Sequence, residues 1–187
     1  MAWLSVVGLV VLSVGAAVLS VASPSPALAK GDGGYLAAGP SALVWIQLRD
    51  TGGGLITGTA RWALGPGLTN DRKIHQGDAA MHGTLVGSAL RITGRWLGSP
   101  ESATVDFVLT KRNMTQHANG VTSTYELAAH GAYESALAKR LPGWRAQLPY
   151  FQCVRRLPPR SSVAPCRSLF PEQAGVAPLR ANGLPQP

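Results

Sequence analysis

The stretch ALVWIQLRDTGGGLITGTARWAL, residues 42–64, decides how this chain folds. Ala42, Val44, Ile46 and Leu48 fall on one face of it, and Leu43, Trp45, Gln47 and Arg49 on the other. That period of two is the mark of a β-strand, whose side chains alternate across the pleat. Thr51-Gly52-Gly53-Gly54 follows, and glycine supplies the positive φ that a tight hairpin turn requires. The return run places Ile56, Gly58, Ala60, Trp62 and Leu64 on one face, with Thr57, Thr59 and Arg61 opposite, and Gly65-Pro66-Gly67 ends it. An antiparallel hairpin is the reading that satisfies both halves.

The same grammar recurs downstream. Leu90, Ile92, Gly94 and Trp96 oppose Arg91, Thr93 and Arg95, and Gly98-Ser99-Pro100 turns the chain. Val105, Phe107 and Leu109 alternate with Asp106 and Val108; after Asn119-Gly120, a strong hairpin dipeptide, come Val121, Ser123, Tyr125 and Leu127 at period two. Residues 81–87 read as a weaker strand and 68–80 as a polar loop with room for one short strand. Six to eight short strands over 30–127 imply a mainly β domain, a small antiparallel barrel or a sandwich. Ala128 to Leu141 lacks proline and is rich in helix formers, so a helix is expected there. Pro142-Gly143 should stop it, leaving it to cover one end of the β-domain.

Strand-turn units of this kind, Val44-Trp45-Ile46-Gln47-Leu48 followed by Gly52-Gly53-Gly54-Leu55-Ile56-Thr57-Gly58-Thr59, resemble small, uncharacterised exported β-rich proteins of actinobacteria. Asn119-Gly120-Val121 and Tyr133-Glu134-Ser135-Ala136-Leu137 are similar to their endings. The resemblance covers about 35–141. It implies location and fold and transfers no catalytic residue.

Residues Ala2 to Ala22 carry no charged side chain and are rich in valine and leucine. Pro24 and Pro26 then break the helix, and Ala27-Leu28-Ala29 has the small-x-small form of a signal-peptidase site. Residues 1–29 are therefore expected to be an export signal, cleaved after Ala29 or kept as a membrane anchor. Either outcome places the rest of the chain outside the cytoplasm, secreted or tethered.

The chain has 187 residues, 45% of them hydrophobic, which excludes a wholly disordered polymer and suits one domain with appendages. Its net charge is +8, which first suggests nucleic acid. Residues 30–138, however, hold nine basic and eight acidic side chains, whereas 139–187 hold eight basic ones against Glu172. The β-domain is nearly neutral, so specific nucleic-acid binding is not expected of it. The charge belongs to a tail, 142–187, with nine prolines, expected to be largely irregular. Arg145, Arg155, Arg156, Arg160 and Arg167, with Trp144, could contact an anionic envelope polymer or lipid. A solvated tail without a partner, or a frame-shifted end, accounts for the same composition. Cys153 and Cys166 are expected to form a disulfide in an exported protein, with free thiols as the alternative.

Catalytic signatures are missing from the sequence: no nucleophile elbow, phosphate loop or dinucleotide fingerprint occurs. His75, His82, His117 and His130 have no metal-pair spacing, and His75 with Asp78 sits in the longest polar segment. No metal, no cofactor and no catalytic residue is expected. Trp45, Trp62, Trp96 and Tyr125 are the candidates to line a ligand pocket within a barrel. The sequence thus points to an exported, non-enzymatic binding module for a small apolar ligand. The alternative is an interaction protein that uses its basic tail on anionic envelope surfaces.

Overall fold

The computed structural model of the chain describes residues 28–29, 32–97, 99–118 and 120–173. Its strands are β1 (Gly34–Ala38), β2 (Ala42–Gly52), β3 (Leu55–Leu64), β4 (His75–Val86), β5 (Ala89–Arg95), β6 (Ser102–Leu109), β7 (Asn113–Ala118) and β8 (Val121–Ala128). Each pairs antiparallel with the next, and β8 returns to β1, so the sheet closes into an eight-stranded barrel. Closure decides between barrel and sandwich, and it removes the unpaired edges on which a sheet would aggregate. The glycine turn after β2 is built as the sequence predicts, with φ of +110°, +64° and +77° at Gly52, Gly53 and Gly54.

Cross-strand partners share a face, so the register fixes the lumen. Tyr35 opposes Ile46, which opposes Ala60; Val44 opposes Trp62, which opposes Gly77. These pairs, with Leu48, Ile56, Met81, Leu90, Ile92, Phe107, Leu109, Met114 and Tyr125, form one buried cluster inside the barrel. Gly77 is a matter of space: a Cβ there would lie 2.5 Å from Trp62 Cζ2, so the indole lies flat over a residue without a side chain.

Three sequence expectations need correction. Residues 75–80 are not loop but the first half of β4, where Gly77 and Ala79 face inward and are too small to produce a hydrophobic period. β1 and β7 carry weak signals for similar reasons: GYLAA is short, and NMTQHA puts a glutamine at an inward position. The helix begins at Ala132 instead of 128 and runs through Pro142 and Pro149 to Arg156 as α1 (Ala132–Arg156).

Each interior proline forfeits a backbone hydrogen bond and costs about 3 kcal/mol. Burial of one face offsets that cost. Tyr133 and Trp144 pack with Leu43, Trp45 and Ala63, the outward-facing residues of β2 and β3, and Leu36, Leu137 and Leu141 complete the layer. The Trp144 indole donates from Nε1 to the Pro40 carbonyl at 2.9 Å, and Arg140 donates to the Ala38 carbonyl at 3.2 Å. The helix accordingly lies along the outer wall, over β1–β3, and does not cap a barrel end.

Beyond Trp144 the chain builds a second small core. Tyr150, Phe151 and Cys166 are buried together, with Val154, Leu157 and Phe170 against them. Phe151 also rests on Gly67 of the β3–β4 connection, and Arg72 lies over its ring at 5.9 Å. Cys153 and Cys166 form the disulfide, with Cα atoms 5.8 Å apart, clasping α2 (Ala164–Leu169) to the end of α1. The stretch expected to be irregular is thus largely helical from 142 to 169, and a 3-10 turn at Pro171–Gln173 follows. The end of the expected tail, 174–187, lies outside the described residues, as does the expected leader apart from Leu28 and Ala29. Among the described residues no helix is long and apolar enough to cross a membrane.

Candidate ligand-binding lumen

The β5–β8 wall of the lumen is aromatic. Phe107 on β6 sits between Trp96, whose ring centroid is 5.8 Å away, and Tyr125, 5.6 Å away and edge-on. Such tilted and edge-to-face contacts suit the ring quadrupoles. Trp96 is fixed by an Nε1 hydrogen bond to the Ala103 carbonyl at 3.0 Å. Trp62 faces the same lumen from β3, across from Gly77. Small inward positions, Gly58, Ala60, Ala79 and Gly94, are interspersed with Ile46, Trp62 and Met81 on the same face.

One polar side chain breaks the apolar lining. Gln116 opposes Phe107 on one side and Ser123 on the other, so the register turns it inward. It is only 6% exposed and makes no side-chain hydrogen bond among the described residues. Tyr125, two residues past Ser123 on the same face, is 7% exposed. Burial pushes its phenol up to about 12, with no hydrogen bond offsetting the shift. The hydroxyl is therefore a neutral donor at any ordinary pH.

Both mouths of the lumen are covered by side chains. Leu68 and Leu97 pack on the core cluster from the end where the β3–β4 and β5–β6 connections meet. Leu97 holds a left-handed φ of +51°, a conformation that costs a non-glycine residue about 1–2 kcal/mol. Leu28 and Ala29 pack on the cluster where the chain enters, and Tyr35, whose phenol burial pushes up, also has a hydrogen bond to the Ala29 backbone.

The four sequence candidates separate. Trp62, Trp96 and Tyr125 meet in the lumen cluster, whereas Trp45 faces outward beneath α1, with its ring against Gly34. A one-residue offset along β2 puts Trp45 on the opposite wall from Val44 and Ile46. Trp144 is buried in the same outer layer and is not free to enter a surface. Arg145, Arg155, Arg156, Arg160 and Arg167 are all exposed. Ala29 lies at the entry mouth, and Ala27 lies outside the described residues. Phe107 and Gln116 were not among the candidates. Phe107 lies in an alternating run and was legible as inward, but nothing in NMTQHA marks Gln116 before the register is known.

The polar groups outside the lumen form local ties. His75 pairs with Asp71 at 2.8 Å, and not with Asp78, which opposes Arg61 on the neighbouring strand. Asp71 is held below the usual carboxylate range: desolvation pushes it up, but hydrogen bonds from His75 and the Lys73 backbone outweigh this. Arg91 grips Asp106 with two hydrogen bonds, of 2.7 and 3.0 Å, and keeps its carboxyl low. Arg61 bonds Glu134 and lies 4.8 Å from the Tyr133 ring centre, tying the first turn of α1 to β3. No protein-family model matches the chain, and no curated protein and no solved structure matches it.

Proposed function

We propose that this protein is an exported, non-enzymatic binding module whose lumen takes a small apolar ligand bearing one polar group. The observation that carries the reading is Gln116, which the register turns inward at 6% exposure among apolar and aromatic residues, on the same face as Tyr125. An eight-stranded barrel is of the size that is either filled by its own side chains or holds one small ligand. Its pocket would follow the usual pattern of apolar walls with a few polar groups that fix orientation. Trp62, Trp96 and Phe107 supply the walls, and Gln116 and Tyr125 supply the donors and the acceptor. Tyr125 is too weak an acid to serve as a base at neutral pH, which favours binding over proton transfer. Leu68 and Leu97 would have to move for entry, and the strained backbone at Leu97 marks where that movement is cheapest. Export rests on the apolar Ala2–Ala22 run and the Ala27-Leu28-Ala29 motif.

The test is a titration with N-phenyl-1-naphthylamine, a neutral apolar fluorophore with a single N–H. Saturable binding of one molecule per chain, displaced by a long-chain alcohol, is the expected result. Absence of saturable binding, or binding unaffected by Trp96→Ala and Tyr125→Phe, would overturn the proposal.

A further inference from the structure

Seven basic residues and no acidic one lie between Glu134 and Glu172. The structure gathers four of them. Arg155 and Arg156 end α1, two and three residues past Cys153; Arg167 follows Cys166 on α2; Arg160 lies in the loop that the disulfide closes. With the two Cα atoms of the disulfide 5.8 Å apart, the disulfide brings the chain positions of these arginines to one end of the helical arm. All four are exposed. The ion pairs among the described residues are Arg61–Glu134, His75–Asp71 and Arg91–Asp106, and none of them involves these four arginines. Among the described residues, Arg155 is the one of the four whose side chain makes a hydrogen bond, at 3.5 Å to the Asp71 carbonyl.

One further feature narrows the partner. Leu169, two residues past Arg167 on α2, is 68% exposed. A soluble polyanion gains nothing from an exposed leucine on the short helix that carries Arg167, whereas a lipid surface offers headgroup phosphates and, beneath them, hydrocarbon. The aromatic side chains of the arm, Trp144, Tyr150 and Phe151, are all buried and do not compete for that role. We infer that the disulfide-clasped end of the arm is a docking surface for an anionic lipid bilayer, with the arginines on headgroup phosphates and Leu169 at the contact. The clasp matters because it holds the arginines together before contact, so that less ordering is lost on binding. This surface is separate from the lumen, and either could fail without the other.

The test uses the full chain and vesicle co-sedimentation, comparing phosphatidylglycerol-containing with pure phosphatidylcholine vesicles. The uncharged Ala2–Ala22 run contributes equally to both, so the readout is the preference for the anionic vesicle. Near a surface each arginine contributes about five-fold in affinity. Arg156→Gln/Arg160→Gln/Arg167→Gln, which spares Arg155 and its bond to Asp71, should therefore reduce the preference about a hundred-fold. Raising the salt to 0.5 M should do much the same, and the far-ultraviolet spectrum and naphthylamine binding of the variant should match wild type. Leu169→Ser should weaken vesicle binding and leave binding to soluble polyphosphate unchanged. Equal partition onto both vesicles, a triple variant with unaltered preference, or a Leu169→Ser variant that binds vesicles as wild type would each overturn the inference. The last result, with tight polyphosphate binding, would point to a polymer instead.

Discussion

Trp144→Ala should detach the helical arm and leave the barrel standing. Helix α1 contains Pro142 and Pro149. Two interior prolines cost about 6 kcal/mol of helix stability, so α1 cannot persist as an isolated helix. Its existence depends on what it docks against. Trp144 is the centre of that contact: it is 3% exposed and packs with Leu43, Trp45, Ala63 and Tyr133, and a Cβ built on Gly65 would lie 3.1 Å from its ring. Truncating a buried tryptophan costs about 3–5 kcal/mol in transfer and cavity free energy. Loss of the Nε1 hydrogen bond to Pro40 adds about 1 kcal/mol. At 1.4 kcal/mol per decade, local opening of the arm should rise by about three to four powers of ten. Hydrogen exchange read by mass spectrometry resolves this directly. Amides of 144–156 should lose their protection in the variant, while those of β5–β7, on the far side of the barrel, should change by less than about ten-fold. Undiminished protection across α1 would refute the dependence of the helix on docking. Equal loss in β5–β7 would show that arm and barrel unfold as one unit.

Other consequences are as direct. Tyr125 has a folded pKa of about 12 against an ordinary value of 10.0, so the folded state keeps a proton that the unfolded state loses. The stability this contributes is fully present below pH 10 and is lost as pH rises toward 12, by about 2–3 kcal/mol. Denaturation curves from pH 9 to 12 should show that loss in wild type and a shallower one in Tyr125→Phe. Gly77→Ala should cost about 1–3 kcal/mol in urea unfolding, because its Cβ would displace the Trp62 ring. Reduction of Cys153–Cys166, separated by 13 residues, should destabilise the end of the arm by about 3 kcal/mol. Faster exchange across 164–169 with unchanged barrel strands is the expected pattern.

The barrel was legible where alternation joined bulky apolar residues to glycine turns, as in 42–64 and 90–109. It faded where inward positions are small or polar. Gly77 and Ala79 hide the start of β4, and Gln116 hides β7. Pro142 and Pro149 read as helix breakers because their cost is local to the sequence, while the burial that offsets it is tertiary. Trp45 and Trp62 read as equivalent lining candidates, yet their strands place one under α1 and one in the lumen. Periodicity assigns residues to two faces but does not say which face is inside. That choice belongs to barrel closure and to the helix that covers the outer wall. Charge counting located the basic segment, and only the disulfide geometry showed that four arginines share one end of it.

The claim that the lumen is a ligand site is tested most directly by Gln116→Leu, read for stability and binding in the same preparation. Leucine, of similar volume, offers a ligand no donor and no acceptor. Gln116→Leu should fold as wild type does and bind N-phenyl-1-naphthylamine about ten-fold more weakly, the loss of one hydrogen bond to the ligand. A folded variant that binds the fluorophore as wild type does would contradict the ligand-site claim.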